Sequence, residues 1–377
     1  MSNRYDDELR GNRSSRGSSR GTGRKGAKRK NNKKALIILG IEIAVLAVLA
    51  VIFYVVFVGV GVDKVQKVNL DEEKIASSVN SGVEDNEQMT GYTNIALFGV
   101  DGRKGELEKK TRSDTIIIAS INNETGDIKL VSVYRDTYLN LSNDSYNKCN
   151  TAYAAGGPEQ AISMLNMNLD MDITDFVTIG FGGLTDVVNE LGGVEIDIEE
   201  SEIPHLNNYQ STMADELGMK YTPVTETGLQ TLDGLQATAY CRIRYTAGDD
   251  FRRAERQRTV LMAILDKAKT ASTGELERVA KKVFSETYTS FDLDGIIKLL
   301  SNVSNYKVVE NDGFPTADYR TTGTMGKKGS CVIPKDLATN VKWLHEFLFE
   351  DAGYQVSDSV QKYSDKIAAD AAEYLGE

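Results

Sequence analysis

Three apolar runs decide the fold of this chain: NIALFGV at residues 94–100, DTIIIASI at 114–121 and IKLVSV at 128–133. Each run is rich in Ile and Val and is bounded by residues typical of turns, which is the pattern of a buried β-strand. The sequence NNETG between the second and third runs is itself typical of a turn. The three runs are therefore predicted to form a β-meander.

Beyond the meander, the hydrophobic pattern alternates between strand and helix. Residues 201–228 have weak periodicity and contain two prolines, which predicts a long loop of the kind that is functional or mobile in compact domains. Residues 235–245 are predicted as a helix that runs into a short strand. Strands are predicted at 176–179 and 194–198, and helices at 158–169, 184–191, 251–269, 275–284, 293–303, 337–348 and 357–375. Strands flanked by helices predict an α/β fold, a three-layer α/β/α domain with a mixed central sheet.

Arginine and aspartate recur where predicted strands end and helices begin. In open α/β sheets, ligands bind beyond the carboxyl ends of the strands. The planar guanidinium group suits two phosphate oxygens at once, and aspartate can balance the charge or hold a hard divalent cation. The segments are DGR at 101–103, TRSDT at 111–115, YRDT at 134–137, and CRIRY at 241–245 with DFRRAERQ at 250–257.

Spacing alone leaves a phosphate site and a set of structural ion pairs as open alternatives. Arg242 and Arg244 alternate as strand residues would, so both could point to one face by pattern alone. Arg253, Arg256 and Gln257 lie on successive turns of one helix face, which also suits an exposed helix. Convergence of these residues on one point depends on the tertiary structure.

Histidine and cysteine usage argues against several other chemistries. The two histidines, His205 and His345, are far apart, and the three cysteines contain no CxxC pair, so neither a zinc site nor a Ser–His–Asp or Cys–His arrangement is indicated. Three reduced, partly buried thiols are predicted at Cys149, Cys241 and Cys331. A Cys149–Cys241 disulfide is the alternative.

The N-terminal region has the composition of a membrane anchor. Residues 1–34 carry twelve Lys and Arg against three acidic residues, and residues 35–62 are twenty-eight residues with one charge, Glu42. A bilayer core needs roughly 20 apolar residues in a helix, and basic flanks stay cytoplasmic. Nucleic-acid binding by the basic head is an alternative, but a topology signal with some attraction to anionic lipid is favoured, and no nucleic-acid partner is predicted.

These patterns predict five regions and a single-pass protein of the cell membrane. Residues 1–34 form a basic, disordered cytoplasmic tail, 35–62 a transmembrane helix, 63–91 an extracellular linker, 92–350 the folded α/β domain, and 351–377 an acidic, helical C-terminal tail at the periphery. The N-terminus is cytoplasmic and the folded domain extracellular. Membrane lipid is therefore an expected partner.

An ordered set of motifs in this chain resembles the LytR–CpsA–Psr family. The blocks run from about Asn94 to Leu265 in the order that the family has, and the predicted anchor with an outside domain fits the same family. They are N-I-x-L-x-G-x-D-x-R, R-x-D-T, S-V-x-R-D-T, N-K-x-N-x-A-Y-x-x-G-G, L-G-G-V, L-D-G-x-Q-A, R-x-R-Y and D-F-x-R-x-x-R-Q.

The resemblance implies an α/β/α domain that holds a polyprenyl pyrophosphate in an apolar tunnel. The implied reaction moves a phospho-glycopolymer, such as a teichoic acid or capsule, from a polyprenyl-pyrophosphate-linked saccharide to a hydroxyl of peptidoglycan. Phosphoryl transfer depends mainly on positioning and charge neutralisation. Two alternatives stay open: a non-catalytic lipid-pyrophosphate-binding envelope regulator, and a pyrophosphatase that acts on the same lipid.

The resemblance also implies roles for individual residues. Asp101 and Asp114 match aspartates that coordinate Mg²⁺, and Arg135 matches the arginine at the transferring phosphate. Pyrophosphate binding is implied for Arg112, Arg135, Arg242, Arg244, Arg253 and Gln257, with Lys148 in support. The clustering of the motifs adds Arg103 and Arg256 to the pyrophosphate-binding set. Asp136 and Asp250 are candidates for the catalytic base by residue type.

Three positions depart from the family pattern. Tyr134 stands where the family usually has proline, Gly180 where it commonly has aspartate, and Cys149 at an ordinarily aliphatic position. The Gly180 change could alter hydrogen bonding on the acceptor side, whereas the other two suit packing. Because no phosphate or metal position is changed, catalytic activity is favoured over binding alone.

Overall fold

The computed structural model describes residues 66–101, 107–108, 111–244, 249–272, 274–275, 278, 287–291 and 303–376. The predicted cytoplasmic tail and transmembrane helix lie outside these residues, as do most of the helices predicted at 275–284 and 293–303. Within the described part of the chain, every helix is too short or too polar to cross a bilayer.

The strands, numbered in chain order, fall into one large sheet and three small ones. They are β1 (Gln66–Lys67), β2 (Tyr92–Val100), β3 (Ser113–Asn122), β4 (Asp127–Val133), β5 (Tyr138–Asn140), β6 (Tyr146–Lys148), β7 (Asp175–Gly180), β8 (Val194–Ile198), β9 (Gly228–Leu232), β10 (Thr287–Thr289), β11 (Lys307–Phe314), β12 (Arg320–Thr324) and β13 (Ser330–Pro334). Of these, seven form the central sheet in the order β1-β10-β7-β2-β3-β4-β11, and β5–β6, β8–β9 and β12–β13 form separate pairs.

The helices are distributed along the whole of the described chain. They are α1 (Glu72–Ser78), α2 (Glu87–Thr90), α3 (Asn150–Leu169), α4 (Phe181–Glu190), α5 (Ile203–Leu217), α6 (Gly234–Tyr240), α7 (Asp249–Thr270), α8 (Leu337–Phe349) and α9 (Asp358–Leu375). The predicted helices at 158–169, 184–191, 251–269, 337–348 and 357–375 are confirmed within α3, α4, α7, α8 and α9. Helix α3 begins earlier than predicted and is interrupted at Gly156 and Gly157, whose backbone angles are not helical.

The predicted meander is confirmed. Strand β3 pairs antiparallel with β2 on one side, where Ile117 lies opposite Leu97, and with β4 on the other, where Ile118 lies opposite Val131. Strands β7 and β11 then add in parallel to β2 and β4. The central sheet is therefore mixed, as predicted.

Alternation along the central strands divides their side chains between two cores, because successive strand residues point to opposite faces. Phe98, Ile118 and Val133 belong to the main core, which also contains residues of α1, α2, α3, α8 and α9. Ile117 and Leu130 face the other side, where they form a cluster with Leu261 and Leu265 of α7. Helices therefore cover both faces of the sheet.

A third cluster lies around α4, α5, α6 and the β8–β9 pair. Val188 of α4, Ile196 of β8, Leu206 of α5 and Leu235 of α6 are all buried there. Val260 of α7 joins the same cluster. Helix α7 thus contacts both this cluster and the sheet, which fixes its position beside the carboxyl ends of β2 and β4.

Residues 66–91 belong to the folded domain, so the prediction of a linker at 63–91 is wrong for this part. Strand β1 pairs with β10 at the sheet edge. Ile75, Val83 and Met89 are buried in the main core. The acidic surface residues of this segment dominate its composition, whereas these three well-spaced apolar side chains determine where it lies.

The loop predicted at 201–228 is wrong over Ile203–Leu217, which is helix α5. Pro204 lies in the first turn of the helix, where proline removes no helical hydrogen bond. The helix ends at Gly218, which has the left-handed conformation with φ of 65°. Proline therefore marks the beginning of a helix here.

Two smaller predictions also need correction. Residues 235–245 were expected to continue from a helix into a strand, but α6 ends at Tyr240 and no strand follows over 241–244. The tail at 351–377 is helical as predicted, but it is not peripheral. Ile367 of α9 is fully buried in the main core, and Asp370 of α9 accepts a hydrogen bond from the Tyr138 hydroxyl at 3.0 Å.

The three cysteines are free and buried, as predicted. Burial raises the pKa of the Cys241 thiol to about 12 and that of the Cys149 thiol still further above its usual range. Cys149 lies within 3.2 Å of the Tyr134 carbonyl oxygen, to which its S–H donates. At neutral pH these are protonated packing groups.

Acid should destabilise the domain through His345. This side chain is buried, its ring stacks on Tyr354 with centroids 3.5 Å apart, and Nε2–H donates to the Leu169 carbonyl at 3.0 Å. Burial lowers the pKa of His345 to about 4, against about 6.5 in an unfolded chain. The unfolded chain therefore binds more protons between these pH values, and acidification from pH 7 to 4 should lower the free energy of unfolding by up to about 3 kcal/mol.

Urea denaturation across this pH range measures the effect. His345→Gln should reduce the pH dependence, because the glutamine amide can still donate to a carbonyl but does not titrate. His205→Gln is the control, since His205 is only partly buried, and it should keep the wild-type profile. The same decline in wild type and His345→Gln would contradict the assignment.

Candidate active site

A β-bulge at the carboxyl end of β2 places Asp114. Gly99 lies opposite Thr115 and Val100 opposite Ser113, so Asp114 is the extra residue on β3. A bulge redirects the side chain at that position and is frequent beside active sites. Gly99 permits the close approach of the strands, since a Cβ atom there would lie 2.7 Å from Thr115 Oγ1. The Asp114 carboxylate consequently reaches the residues that follow β4.

Arg135 follows β4 by two residues and contacts three carboxylates. Its Nη1 donates to Asp114 Oδ1 at 2.7 Å, its Nη2 lies 3.5 Å from Asp250 Oδ2, and its Nε lies 3.7 Å from Asp136 Oδ2. Burial lowers the pKa of the guanidinium, but the charges of Asp114 and Asp250 outweigh burial and raise it above its usual value. Arg135 is therefore the centre of the ion pairs at this edge of the sheet.

Asp250, in the first turn of α7, is surrounded by guanidinium groups. Arg253 Nη1 lies 3.1 Å from Oδ1, and Arg244 Nε lies 4.0 Å from the same oxygen. Burial raises the pKa of the Asp250 carboxyl, but Arg253 and Arg135 outweigh burial and hold it below its usual range. Asp250 thus mainly balances charge.

Arg253 is the most enclosed cation of the site, with 4% of the residue exposed. Burial, together with the neighbouring charge of Arg135, lowers the pKa of its guanidinium to about 10. The Nε atoms of Arg253 and Arg135 are buried and have no hydrogen-bond partner among the described residues. Donors of this kind suit an anionic ligand, because an unpaired buried donor is unfavourable.

The ion-paired side chains form one group with an excess of positive charge. Lys148, at the end of β6, completes it, with Nζ 3.3 Å from Asp136 Oδ1. We call this group the Arg–Asp cluster; its members are Arg135, Lys148, Arg244, Arg253, Asp114, Asp136 and Asp250. Four cations against three carboxylates give the cluster a formal charge of +1.

A polar pocket and an apolar cavity lie beside the cluster and share one lining residue. The polar pocket is lined by Asp114, Arg135, Asp136, Asp250, Arg253 and Gln257 among others. The apolar cavity has a volume of about 250 Å³ and lies between β2, β3 and β7 on one side and α4 and α7 on the other. Its walls include Leu97, Ile117, Val177, Leu184 and Val260, and Gln257 lines both spaces.

Arg242 does not join the cluster. Its guanidinium lies over the rings of Phe181 and Tyr209, with the Cζ atom 4.7 and 5.5 Å from the ring centroids. Arg244 is the residue that reaches Asp114, at 3.8 Å. The expectation that these two arginines alternate on a strand is wrong, because residues 241–244 after α6 form a turn and an irregular segment.

Arg256 also lies outside the cluster, although its motif suggested pyrophosphate binding. Its Nε lies 2.7 Å from Glu202 Oε1, in an ion pair whose side chains are 3% and 1% exposed, and its Nη1 donates to the Ile243 carbonyl at 3.2 Å. Consecutive helix residues point about 100° apart, so Gln257 faces the pocket and Arg256 does not. Arg256 instead fixes the segment between Arg242 and Arg244.

The two aspartates assigned to Mg²⁺ lie at the same edge of the sheet. Asp101 follows β2 directly and is exposed, and Asp114 lies at the bulge of the paired strand. Within the described residues, no group of three or more His, Cys, Asp or Glu side chains could hold a metal. Mg²⁺ needs only one or two carboxylates when phosphate oxygens complete its shell, so these donors fit a cation that arrives with a phosphate ligand.

Two further predicted binding residues are not brought into the cluster by the structure as described. Arg112 is exposed, and Arg103 lies outside the described residues. In contrast, Arg320 contacts Tyr134 and Phe251 behind the cluster, and no motif pointed to it. The position of Arg320 beside the cluster depends on where β12 lies in the folded domain, which the sequence does not show.

A mixed α/β domain with a cationic cluster beside an apolar cavity, both bordered by Gln257, defines a class of protein suited to an anionic ligand with an apolar tail. The LytR_cpsA_psr family model matches residues 52–341. The chain therefore belongs to the LytR_cpsA_psr family. This agrees with the resemblance seen in the ordered motifs.

Several characterised proteins align with this chain. The polyisoprenyl-teichoic acid–peptidoglycan teichoic acid transferase TagT of Bacillus subtilis is 30% identical over 232 residues, which are 61% of this chain and 69% of TagT. A TagU of the same description from Enterococcus faecalis is 32% identical over 54% of this chain and 63% of its own length, just under two thirds. Biofilm regulatory protein A of Streptococcus mutans is 27% identical over 71% of this chain and 72% of its own length.

Solved structures share the fold. A protein of Streptococcus agalactiae has a TM-score of 0.60 at 24% identity, over 77% of this chain and 95% of its own. TagT with bound octaprenyl pyrophosphate lipid has a TM-score of 0.53 at 23% identity, over 74% of this chain and 99% of its own. At these identities the likeness establishes the fold.

Removing Glu202 should strongly destabilise the domain. Glu202→Ala deletes the carboxylate that contacts buried Arg256, and breaking a buried ion pair in this way lowers the free energy of unfolding by about 3–5 kcal/mol. Urea denaturation measures the change. Glu199→Ala, which removes the exposed partner of Arg252, is the control and should change stability by about 1 kcal/mol or less. Equal losses of unfolding free energy in the two variants would contradict a larger contribution from the buried ion pair.

Proposed function

We propose that this chain is an extracytoplasmic phosphotransferase that moves a phospho-glycopolymer, such as a teichoic acid or capsule, from a polyprenyl pyrophosphate carrier to peptidoglycan. The observation that carries the proposal is that the Arg–Asp cluster lies beside an apolar cavity of about 250 Å³, with Gln257 lining both the polar pocket and this cavity. A polyprenyl pyrophosphate has a charged head and an apolar tail; the apolar cavity suits the tail, and the charged residues of the Arg–Asp cluster suit the head. The names of TagT and TagU, and the octaprenyl pyrophosphate bound to TagT, support the same ligand class.

The Arg–Asp cluster would receive the pyrophosphate. Its excess positive charge attracts an anion, and Arg253 and Arg135 each present a buried Nε without a protein hydrogen-bond partner among the described residues. Arg135 now donates to Asp114 at 2.7 Å. A phosphate oxygen would compete with Asp114 for this guanidinium, so ligand binding exchanges one charge-assisted hydrogen bond for another.

The proposed transfer is one displacement at phosphorus. A hydroxyl oxygen of peptidoglycan attacks the phosphorus that carries the saccharide, a new P–O bond forms, and the bond to the bridging oxygen breaks. Polyprenyl monophosphate leaves, and the hydroxyl proton passes to a carboxylate. Arg135 and Arg253 would stabilise the charge on the transferring oxygens, the main protein contribution to phosphoryl transfer.

Asp136 is the better candidate for the carboxylate that takes the proton. Asp250 lies within 4.0 Å of three guanidinium groups, and its lowered pKa makes it a weak base. Asp136 contacts Lys148 at 3.3 Å and the Nε atom of Arg135 at 3.7 Å. It lines the polar pocket, and its carbonyl accepts a hydrogen bond from the Val332 N–H at 2.9 Å.

Asp101 and Asp114 would hold the proposed Mg²⁺ together with phosphate oxygens. When bound, the cation neutralises negative charge on those oxygens. Asp114 is shared between this role and its ion pair with Arg135. Release of Asp114 from Arg135 would accordingly accompany loading of the site.

We further propose that residues 35–62 anchor the chain in the cell membrane, with 1–34 cytoplasmic and the domain outside. Support comes from the apolar, singly charged sequence of 35–62 and the basic residues before it. An anchor of this kind would hold the chain at the membrane that contains the lipid carrier. Membrane lipid and peptidoglycan are thus the proposed partners of the chain.

A second candidate is a non-catalytic lipid-pyrophosphate-binding regulator of the envelope. The specific observation in its favour is the likeness to Biofilm regulatory protein A, whose name describes a regulator. The site would then bind the same ligand without transferring it. A pyrophosphatase, with water as the acceptor, is a further outcome that the same assay detects.

Incubation of the full chain in detergent with a polyprenyl-pyrophosphate-linked saccharide, Mg²⁺ and a peptidoglycan oligomer should yield a phosphodiester-linked adduct and polyprenyl monophosphate. Arg135→Met should lower kcat by about 100-fold or more, the usual effect of removing a donor to transition-state charge, with a much smaller change in lipid affinity. Mass spectrometry of quenched reaction samples measures kcat, and equilibrium binding of the lipid measures its affinity.

The control is Arg278→Met, since Arg278 is an exposed arginine that pairs with Glu190; it should keep wild-type rates. Free saccharide phosphate without adduct would identify a pyrophosphatase. Intact bound lipid without product would identify the regulator. An unchanged kcat in Arg135→Met would remove Arg135 from the catalytic machinery.

A further inference from the structure

Three side chains form a stack directly behind the Arg–Asp cluster. The Tyr134 and Phe251 rings pack edge to face, with centroids 4.7 Å apart and planes at 83°. The Arg320 guanidinium covers both, with Cζ 3.9 Å from the Phe251 centroid and 4.9 Å from the Tyr134 centroid. We call these residues the Tyr–Phe–Arg stack.

The stack lies next in sequence to two residues of the cluster. Tyr134 immediately precedes Arg135, and Phe251 immediately follows Asp250. Arg135 Nη2 and Asp250 Oδ2 are 3.5 Å apart. Contact between the two rings therefore couples the chain segment after β4 to the first turn of α7, from which the two opposite charges project.

Arg320 is held in place by the backbone. Its Nη1 donates to the Pro315 carbonyl at 2.9 Å and to the Tyr134 hydroxyl at 3.2 Å. It belongs to β12, whose partner β13 supplies the Val332 N–H that donates to the Asp136 carbonyl at 2.9 Å. The same hairpin thus contacts the residues on both sides of Arg135.

Tyr134 stands where the usual family pattern has proline, and it makes contacts that proline could not. The Tyr134 N–H donates to the Phe314 carbonyl at 3.0 Å, a bond that proline could not form. Its ring crosses β11 at Gly313, where a Cβ atom would lie 2.0 Å from the Tyr134 hydroxyl. A hydrogen bond and a stacked ring thus hold the backbone where a proline ring would otherwise restrict it.

We propose that Arg320 is a positioning residue for the transfer reaction, which holds Arg135 and Asp250 in register through Phe251 and Tyr134. The proposal rests on the proposed function for its kinetic consequences. Misplacement of a reacting group by about 1 Å lowers a rate by roughly 100-fold. Tyr134 lines the polar pocket, but Arg320 does not, so the loss of Arg320 should change turnover more than ligand affinity.

Arg320→Met removes the charge and the planar group, and should lower kcat by about 10- to 100-fold. The Kd for polyprenyl pyrophosphate, measured with the same full chain in detergent, should stay within about threefold of wild type. Arg320→Lys keeps the charge but stacks less well on a ring, and should recover part of the rate. Arg278→Met is again the matched control and should leave both quantities unchanged.

A double-mutant cycle separates positioning from general packing. Tyr134→Phe removes only the hydroxyl that accepts from Arg320. If both residues act through one contact, the double variant Tyr134→Phe/Arg320→Met should be little slower than Arg320→Met alone. Fully additive losses would overturn the coupling. Should Arg320→Met fail to fold, Arg320→Lys and Tyr134→Phe carry the same comparison.

A readout without turnover keeps this inference separate from the proposed function. The buried Arg135 Nε–H should give a slowly exchanging nitrogen–proton NMR signal, assigned by its loss in Arg135→Met. The signal should shift or exchange faster in Arg320→Met and stay unchanged in Arg278→Met. An unchanged signal, or a wild-type kcat in Arg320→Met, would overturn the positioning role. A wild-type chain that forms no adduct would instead overturn the proposed function, and the NMR signal would still decide the role of Arg320.

Discussion

Arg135 contacts Asp114, Asp250 and Asp136 at 2.7, 3.5 and 3.7 Å, and the arrangement of the candidate site follows from these contacts. Guanidinium groups packed this closely repel one another unless carboxylates lie between them. The carboxylates present are one fewer than the cations around them. The folded domain therefore keeps the arginines together and leaves an electrostatic demand for one more anion.

The central sheet brings the charged residues of the cluster together from distant segments of the chain. Antiparallel pairing of β3 with β2 and β4 places the beginning of β3 beside the ends of its neighbours, and the bulge turns Asp114 towards Arg135. Helix α7 then supplies Asp250 and Arg253 from its first turns and Gln257 one turn later. Since α7 also covers the apolar cavity, one rigid helix links the charged and apolar halves of the site.

Local signals in the sequence predict the meander, and the motifs that resemble the family, together with residue type, name all seven residues of the cluster, but spacing alone leaves their convergence open. Sequence alone fails where a tertiary contact decides. Ile75 and Met89 are isolated apolar residues in an acidic segment, yet both enter the main core. Arg256 and Gln257 are neighbours in one motif, but Arg256 forms a buried ion pair with Glu202, which immediately precedes α5, a helix in a segment predicted to be a loop. Neither the bulge at Asp114 nor the approach of Arg320 has a motif, since both depend on strand register.

The central claim is that the cluster and the cavity together form one site for an amphiphilic pyrophosphate. Titration calorimetry of the full chain in detergent with polyprenyl pyrophosphate, the corresponding polyprenol and inorganic pyrophosphate tests this most directly. The account predicts that polyprenyl pyrophosphate binds at least about 100-fold more tightly than either fragment, since each fragment occupies only one of two adjoining spaces. Equal affinity for the polyprenol, or for inorganic pyrophosphate, would contradict it.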